Sequence, residues 1–141
     1  MNKYNVSDIA RFINGELHGK DVAVSNFSID SRKIRKDDVF ICIKGEKYDG
    51  HNFIKDCMKK ASCLIISKEI RDINLEDKSY IVVKDTLKAL QEISRYIRIK
   101  SKAKFIAITG SNGKTTVKEM VAHILSEHKI CYTKGNLNNH I

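Results

Sequence analysis

The sequence contains no proline and no tryptophan, and only seven glycines among its 141 residues. With so few breakers, element boundaries must be read from hydrophobic periodicity and polar clusters. No apolar run approaches the roughly 18–20 residues that a membrane span needs, and the opening MNKYNVSDIARF has neither a long hydrophobic region nor a small-residue cleavage site. A soluble, cytoplasmic protein with no membrane partner is expected. The four cysteines form no C-x-x-C pair and have no local histidine at zinc spacing, so a structural zinc site is excluded. Cys42, Cys57 and Cys63 each lie in an apolar pattern, where a free thiol behaves as a small hydrophobe, and reduced thiols fit the cytoplasm. Internal repeats and low-complexity tracts are also missing.

What is present is positive charge. Lysine and arginine total 26 against 17 acidic residues, a formal net charge of +9, which implies an anionic partner such as phosphate, an acidic metabolite or nucleic acid. Lysines run from Lys3 to Lys134 interleaved with Asp and Glu, and no basic stretch is rich in aromatics. That pattern of a solvated surface argues against a specific nucleic-acid partner. A hydrophobic content of 42% supports a core, while the length corresponds to about one average domain and excludes a complete multidomain enzyme.

Val6, Ile9, Ala10 and Ile13 recur at helical spacing behind Ser7, a plausible cap, with Gly15 as a stop signal. Residues 26–32 alternate as a strand, and Val39-Phe-Ile-Cys-Ile43 is a continuous β-branched run. Beyond the turn at Lys44–Gly50, the apolar residues Ile54, Cys57, Met58 and Ala61 predict a helix, Cys63–Ile66 and Tyr80–Val83 predict strands, and Leu87–Ile97 marks a longer helix. Strands alternating with helices imply an α/β fold. Lys100–Lys104 is a polar boundary between a domain over residues 1–100 and a second unit over 101–141. In that unit Phe105–Ile108 is expected as a buried strand, Val117, Met120, Val121, Ile124 and Leu125 as one helix face, and Ile130–Tyr132 as a following strand. Two strands and one helix cannot cover both faces of a parallel sheet, so this β-loop-α-β unit reads as the start of a truncated domain. Its uncovered apolar face predicts either mobility or self-association.

Between the first of these strands and the helix lies Thr109-Gly-Ser-Asn-Gly-Lys-Thr-Thr116, the setting in which a phosphate-binding loop occurs. Glycines let backbone N–H groups converge on phosphate oxygens, and the helix N-terminus adds a favourable dipole. Lys114 would place a point charge on the β- and γ-phosphates, and Thr115 would ligate Mg²⁺ through its hydroxyl. The general G-x-x-x-x-G-K-[ST] form is not met, because Ile108 stands where its first glycine would be. A Gly-containing turn with a surface lysine is the bland alternative, and ATP or GTP binding explains the loop better. Phosphate contacts alone do not choose between hydrolysis, phosphoryl transfer and ligation.

The shorter loop Gly110-Ser-Asn-Gly-Lys-Thr-Thr116 resembles that of the Mur ligases, ATP-dependent amide-forming enzymes of peptidoglycan precursor synthesis, whose form is G-[TS]-x-G-K-T-[TS]. Agreement extends to Ile29–Arg32, Asp38–Phe40, Lys44–Glu46, Asp49–Phe53 and Gly135–Asn139, nearly the whole chain. Within the family, Val117–Met120 and Gly135–Asn139 look most like the ligases that join D-alanyl-D-alanine to UDP-N-acetylmuramoyl-tripeptide. The ligases that add the third amino acid are the nearer alternative. His140 departs from the acidic residue usual there.

The resemblance implies a UDP-gripping N-terminal domain, a central ATPase domain that begins here, and a closing domain. Gly110, Ser111, Asn112, Gly113, Lys114, Thr115 and Thr116 would hold ATP and Mg²⁺, with Lys114 catalytic and Thr115 on the metal. Ser31 and Arg32 would lie in the uridine-nucleotide site, and Asn136, Asn138 and Asn139 would line the cleft between ATP and the muramoyl substrate. Asp30 is expected to orient its turn and His51 to be structural. The chain alone is expected to be inactive. Rival readings from other classes are a non-catalytic UDP-sugar-binding module and a small phosphate-loop kinase.

Overall fold

The computed structural model describes residues 3–46, 48–67, 75, 77–133 and 135, and the chain divides into two compact units, Met1–Ser101 and Lys102–Ile141. The first unit contains, in order, β1 (Tyr4–Asn5), α1 (Val6–Phe12), β2 (Glu16–His18), β3 (Ala23–Val24), β4 (Asn26–Ser28), β5 (Asp38–Ile41), α2 (Ile54–Cys57), β6 (Cys63–Ile66), β7 (Ser79–Val82) and α3 (Thr86–Lys100). Short 3-10 turns occupy Ser31–Lys33 and Gly50–Phe53. Its main sheet has the order β2-β7-β6-β5-β4, with β4 to β7 parallel and β2 antiparallel at the edge, while β1 and β3 pair separately. The mixed α/β architecture with a mainly parallel sheet agrees with the sequence.

Alternation along β5 and β6 sends side chains to both faces. Val39, Ile41, Cys63 and Ile65, joined by Ile81 and Val83, pack against Val6, Ile9 and Ala10 of α1 and Ala89, Ile93 and Tyr96 of α3. Phe40, Cys42, Leu64 and Ile66 face Ile54 and Cys57 of α2 on the other side. Strands β5 and β6 are thus covered on both faces, as central parallel strands require. Cys42, Cys57 and Cys63 are buried and Cys131 is exposed; burial pushes the Cys57 thiol up to about 11 and the Cys63 thiol up to about 12. The three buried thiols are inert core groups.

Several elements differ from their sequence-based expectation for local reasons. Ser7 does not cap α1; its N–H and hydroxyl both donate to Asp21, at 3.0 and 2.7 Å, and Asn5 is the cap position without a side-chain bond. The strand expected over 26–32 ends at Ser28, because Asp30 turns the chain into the Ser31–Lys33 turn by accepting from the Arg32 N–H. The helix expected after residue 54 is one short turn, α2, preceded by the 3-10 turn. By contrast α3 follows its pattern closely, capped by Asp85, whose carboxylate accepts from the N–H groups of Leu87 and Lys88.

In the second unit the helix forms as α4 (Lys114–Ile124), but Phe105–Ile108 and Ile130–Tyr132 are not strands. A strand exists only through a ladder with a neighbour, and among the described residues of this unit neither segment has one. Phe105, Ile106, Met120 and Ile124 are accordingly exposed, and Ala122 alone is buried among the described residues of α4. Lys118 holds the following segment in place, donating to the carbonyls of Thr133 at 2.7 Å and Gly135 at 3.1 Å.

Gly15 acts through space rather than as a helix stop, since Asn14 takes the left-handed φ of 52°. A Cβ on Gly15 would lie 2.5 Å from Ile81 Cγ2 and 2.9 Å from Val83 Cγ1, both in the core. Gly15→Ala should therefore destabilise the first unit by about 1–3 kcal/mol through overpacking. Gly45→Ala, whose Cβ would meet an ordinary contact at 3.6 Å, serves as the control in urea unfolding; equal midpoints would exclude the close-approach role.

Candidate functional sites in the two units

Because β4 to β7 run parallel, the loops that follow them all emerge at one end of the sheet, the end where open α/β sheets bind ligands. The turn after β4 carries Asp30, Ser31 and Arg32. Asp30 accepts from the Arg32 N–H at 3.1 Å and takes its guanidinium bidentately, Nε to Oδ1 and Nη2 to Oδ2, both at 2.9 Å. That fork holds the Asp30 carboxyl down at about 2 and raises the Arg32 pKa. Asp30 thus orients the turn, as expected from its position. Two of the five guanidinium N–H groups are engaged, and the side chain is 86% exposed, so three donors remain for an anion. Ser31 is half-buried at the start of the same turn.

The loop after β5 is closed by the bridge between Lys44 and Asp49, with Gly45 N–H donating to the Tyr48 carbonyl at 2.8 Å. At Gly50 the chain presses against β5's end, where a Cβ would stand 2.9 Å from Cys42 Cα. Next to it His51 is buried, with Nδ1 2.6 Å from Asp49 Oδ1, and Nε2 accepts the Ser67 N–H at 3.1 Å. Ser67 Oγ lies 3.4 Å from the same nitrogen. Aspartate, histidine and serine in a row suggest a nucleophile, yet a backbone N–H already occupies the nitrogen that would act as base. His51 instead pins the loop after β5 to the end of β6. Thr86 adds a second tie, donating to the Cys42 carbonyl at 2.9 Å. Asp49 and His51 were visible in the sequence; Ser67 was not, because its role is to present a backbone donor.

The second unit carries the glycine loop. Gly110 and Gly113 have φ of 150° and 74°, and Gly113 is the cap residue of α4. A Cβ on Gly113 would meet nothing within 4 Å, so the demand for glycine there is conformational. Ser111 and Asn112 form the exposed crest of the loop, and Lys114, Thr115 and Thr116 form the first turn of α4. Lys114 arches back over the loop, its Nζ donating to the carbonyls of Gly110 at 2.6 Å and Ser111 at 3.3 Å. These residues fit a phosphate: the N-terminus of a helix, two glycines at positive φ and an ammonium drawn back over the loop. No group of three or more His, Cys, Asp or Glu among the described residues could hold a metal, so a divalent ion here would rest on phosphate oxygens and a hydroxyl such as that of Thr115. Asn136, Asn138, Asn139 and His140 lie outside the described residues.

Asp30 provides a direct test of the first site. Its carboxyl should titrate near 2 by NMR, and Arg32→Ala should return it towards the ordinary value of 3.8. Because the folded-state value is depressed, the pairing supports the turn above pH 3.8 and is lost as pH falls through 2. An unchanged Asp30 titration in the variant would rule out the fork.

The geometry has counterparts among known proteins. The model of the Mur ligase family, catalytic domain, matches residues 23–98, and that of the Mur ligase middle domain matches residues 108–141. UDP-N-acetylmuramoyl-tripeptide–D-alanyl-D-alanine ligase of Escherichia coli is 38% identical over 100% of this chain and 31% of its own length. UDP-N-acetylmuramoyl-L-alanyl-D-glutamate–2,6-diaminopimelate ligase of Clostridium perfringens is 44% identical over 74% of the chain and 22% of its own length. Crystal structure I of MurF from Acinetobacter baumannii superposes with a TM-score of 0.83 at 31% identity, over 99% of this chain and 31% of that one. MurF ligase from Thermotoga maritima in complex with ADP gives 0.68 at 27% identity, over 82% and 26%. The chain therefore spans about a third of the relatives it matches in full. With one family model covering more than half of its residues and a second covering the glycine loop, the chain belongs to the Mur ligase family.

Proposed function

We propose that the chain is the N-terminal part of a MurF-type ligase that joins D-alanyl-D-alanine to UDP-N-acetylmuramoyl-tripeptide, acting in the cytoplasm on peptidoglycan precursors. The observation that carries this reading is the match along the whole chain to the Escherichia coli ligase, spanning both the Asp30–Arg32 turn and the Gly110–Thr116 loop. In it, residues 1–100 grip the UDP moiety and residues 101–141 begin the ATPase domain. Ser31 and Arg32 receive the uridine nucleotide, the three outward guanidinium donors facing its anionic oxygens. Gly110, Ser111, Asn112, Gly113 and Thr116 would line the triphosphate, and Thr115 would offer its hydroxyl to Mg²⁺. Asn136, Asn138 and Asn139 serve the muramoyl side. Bound ATP would supply its γ-phosphoryl group to the peptide's terminal carboxylate, leaving ADP, and the dipeptide amine would then form the amide bond as phosphate and a proton depart. Lys114 leaves the loop carbonyls to offset negative charge as it develops on the transferred group. A diaminopimelate-adding ligase is the second reading, favoured by the 44% identity to the Clostridium perfringens enzyme over part of the chain.

In a full-length ligase carrying these residues, Lys114→Ala should lower ATP-dependent ligation by about a hundredfold or more, while UDP binding stays near the parent's. Arg32→Ala should do the reverse to UDP binding, weakening it several-fold in calorimetric titration. Retained turnover in the first variant, or parental UDP affinity in the second, would sink the respective assignment. Offering D-alanyl-D-alanine and diaminopimelate as alternative acceptors separates the two ligase readings.

The exposed apolar side chains Val117, Met120 and Ile124 lie on one stripe of α4, and we propose that in this chain they support self-association. Amide protection over residues 117–124 should then rise with protein concentration in hydrogen exchange. Protection that is strong and independent of concentration would contradict it.

A further inference from the structure

The end of the sheet opposite the Ser31–Arg32 turn carries a feature that UDP and ATP binding leave unused. A cleft of about 590 Å³ opens there, walled by the segments that enter β5, β6 and β7 and by the one that leaves antiparallel β2. Each segment brings cations: Arg35 and Lys36 before β5, Lys59 and Lys60 before β6, Lys78 before β7, and Lys20 after β2. Among the described residues of the lining, Asp77 is the acidic one. Of the six cations, only Lys59 has a carboxylate within ion-pair reach among the described residues, the exposed Asp56 at 3.9 Å. Like charges that converge on a concave surface and outnumber the carboxylates beside them there, among the described residues, raise the local potential for an anion.

The walls beneath these side chains are fixed. Ser79 Oγ donates to the Lys20 carbonyl at 2.6 Å, the Asp37 N–H donates to Ser62 Oγ at 3.1 Å, and the Arg35 N–H donates to the buried Asp38 carboxylate at 2.8 Å. Gly19, with φ of 85°, brings its segment so close that a Cβ would lie 2.6 Å from the Lys78 carbonyl. The cations therefore project from an ordered frame. Its lining also narrows the ligand. Among the described lining residues no aromatic is present to stack on a base, and Val22 and Ala61 are the apolar side chains, too few for a hydrophobic ligand.

We propose that this cleft is a second anion site, which takes a condensed phosphate: a chain of several phosphoryl groups, free or as the tail of a larger molecule. Several phosphates in a row match cations delivered from four separate segments, whereas a single phosphate would engage only one or two. The site shares no residue with the Gly110–Thr116 loop and does not depend on the ligase reading.

The test titrates inorganic tripolyphosphate into the chain at constant ionic strength, following backbone amides by NMR. Lys114→Ala is the background, so that the glycine loop is disabled. Shifts should cluster at residues 19–22, 35–37, 59–62 and 77–79, and orthophosphate should bind far more weakly. Lys60→Ala with Lys78→Ala should reduce affinity roughly tenfold, and Lys60→Gln with Lys78→Gln should do the same with the stems retained. Arg32→Ala should leave it unchanged. An adenosine triphosphate arm shows whether the phosphate tail of a nucleotide enters equally well; equal binding identifies the tail as a source, and weaker binding identifies the free chain. Shifts confined to residues 110–116, parental affinity in both double variants, or equal response to poly-glutamate and to anionic vesicles would overturn the proposal.

Discussion

Strands β5 and β6 are buried on both faces, and everything functional in the first unit is placed by that constraint. Val39 and Ile41 against α1 and α3, and Phe40 with Leu64 and Ile66 against α2, leave neither face of these two strands open to solvent. Burial at about 25 cal/mol per Å² makes these interdigitated apolar side chains the dominant favourable contribution to folding. In the middle of the sheet polar chemistry is therefore pushed to the two ends of the strands. The parallel direction then sorts it. Loops that leave the strands carry Asp30–Arg32, Lys44–Glu46 and Asp49–His51, and loops that enter them carry Arg35, Lys36, Lys59, Lys60 and Lys78.

This sorting also explains what the sequence discloses. A doubly buried strand is an unbroken apolar run, so residues 39–42 and 63–66 announce themselves without help from their partners. The same is true of α3, whose stripe from Ala89 to Tyr96 lies on one face and whose cap is the residue Asp85. Strands β1, β2 and β3 are two or three residues long, shorter than any period that could reveal them, and they exist because Tyr4, Leu17 and Val24 find a place beside elements distant in sequence. Phe105–Ile108 shows the opposite failure. Its composition is that of a core strand, but composition states what a segment can bury and not whether a ladder partner is at hand.

The candidate sites divide along the same line. Asp30 and Arg32 were legible because their interaction closes within three residues: a carboxylate caps the turn and takes the guanidinium in one fork. His51 was legible as a structural residue only in outline, since what fixes it is the N–H of Ser67, sixteen positions away and chemically anonymous. The basic cleft left no local signature at all. Its six cations are spread from Lys20 to Lys78 and read in the sequence as scattered surface charge; they converge because parallel strands start at a common edge.

The glycine loop is the limiting case of local encoding. Its shape requires two glycines at positive φ, a cap at Gly113 and a helix whose first residue is Lys114, all within five positions. None of these demands a strand on either side, which is why the loop takes its form although Phe105–Ile108 and Ile130–Tyr132 form none. Affinity is a different matter from shape. The ammonium of Lys114 already rests on the carbonyls of Gly110 and Ser111, so a phosphate must compete with those two hydrogen bonds for it. In water that exchange is nearly balanced, because protein–water bonds are traded for protein–phosphate ones and even a bond to a charged group nets only about 1.5–3 kcal/mol. Charge tips it: a phosphate presents full negative charge where a carbonyl presents a dipole, and the advantage grows as surrounding structure excludes water and lowers the local dielectric. The loop's geometry is thus written in Gly110–Thr116, while the strength of its grip depends on what packs around it.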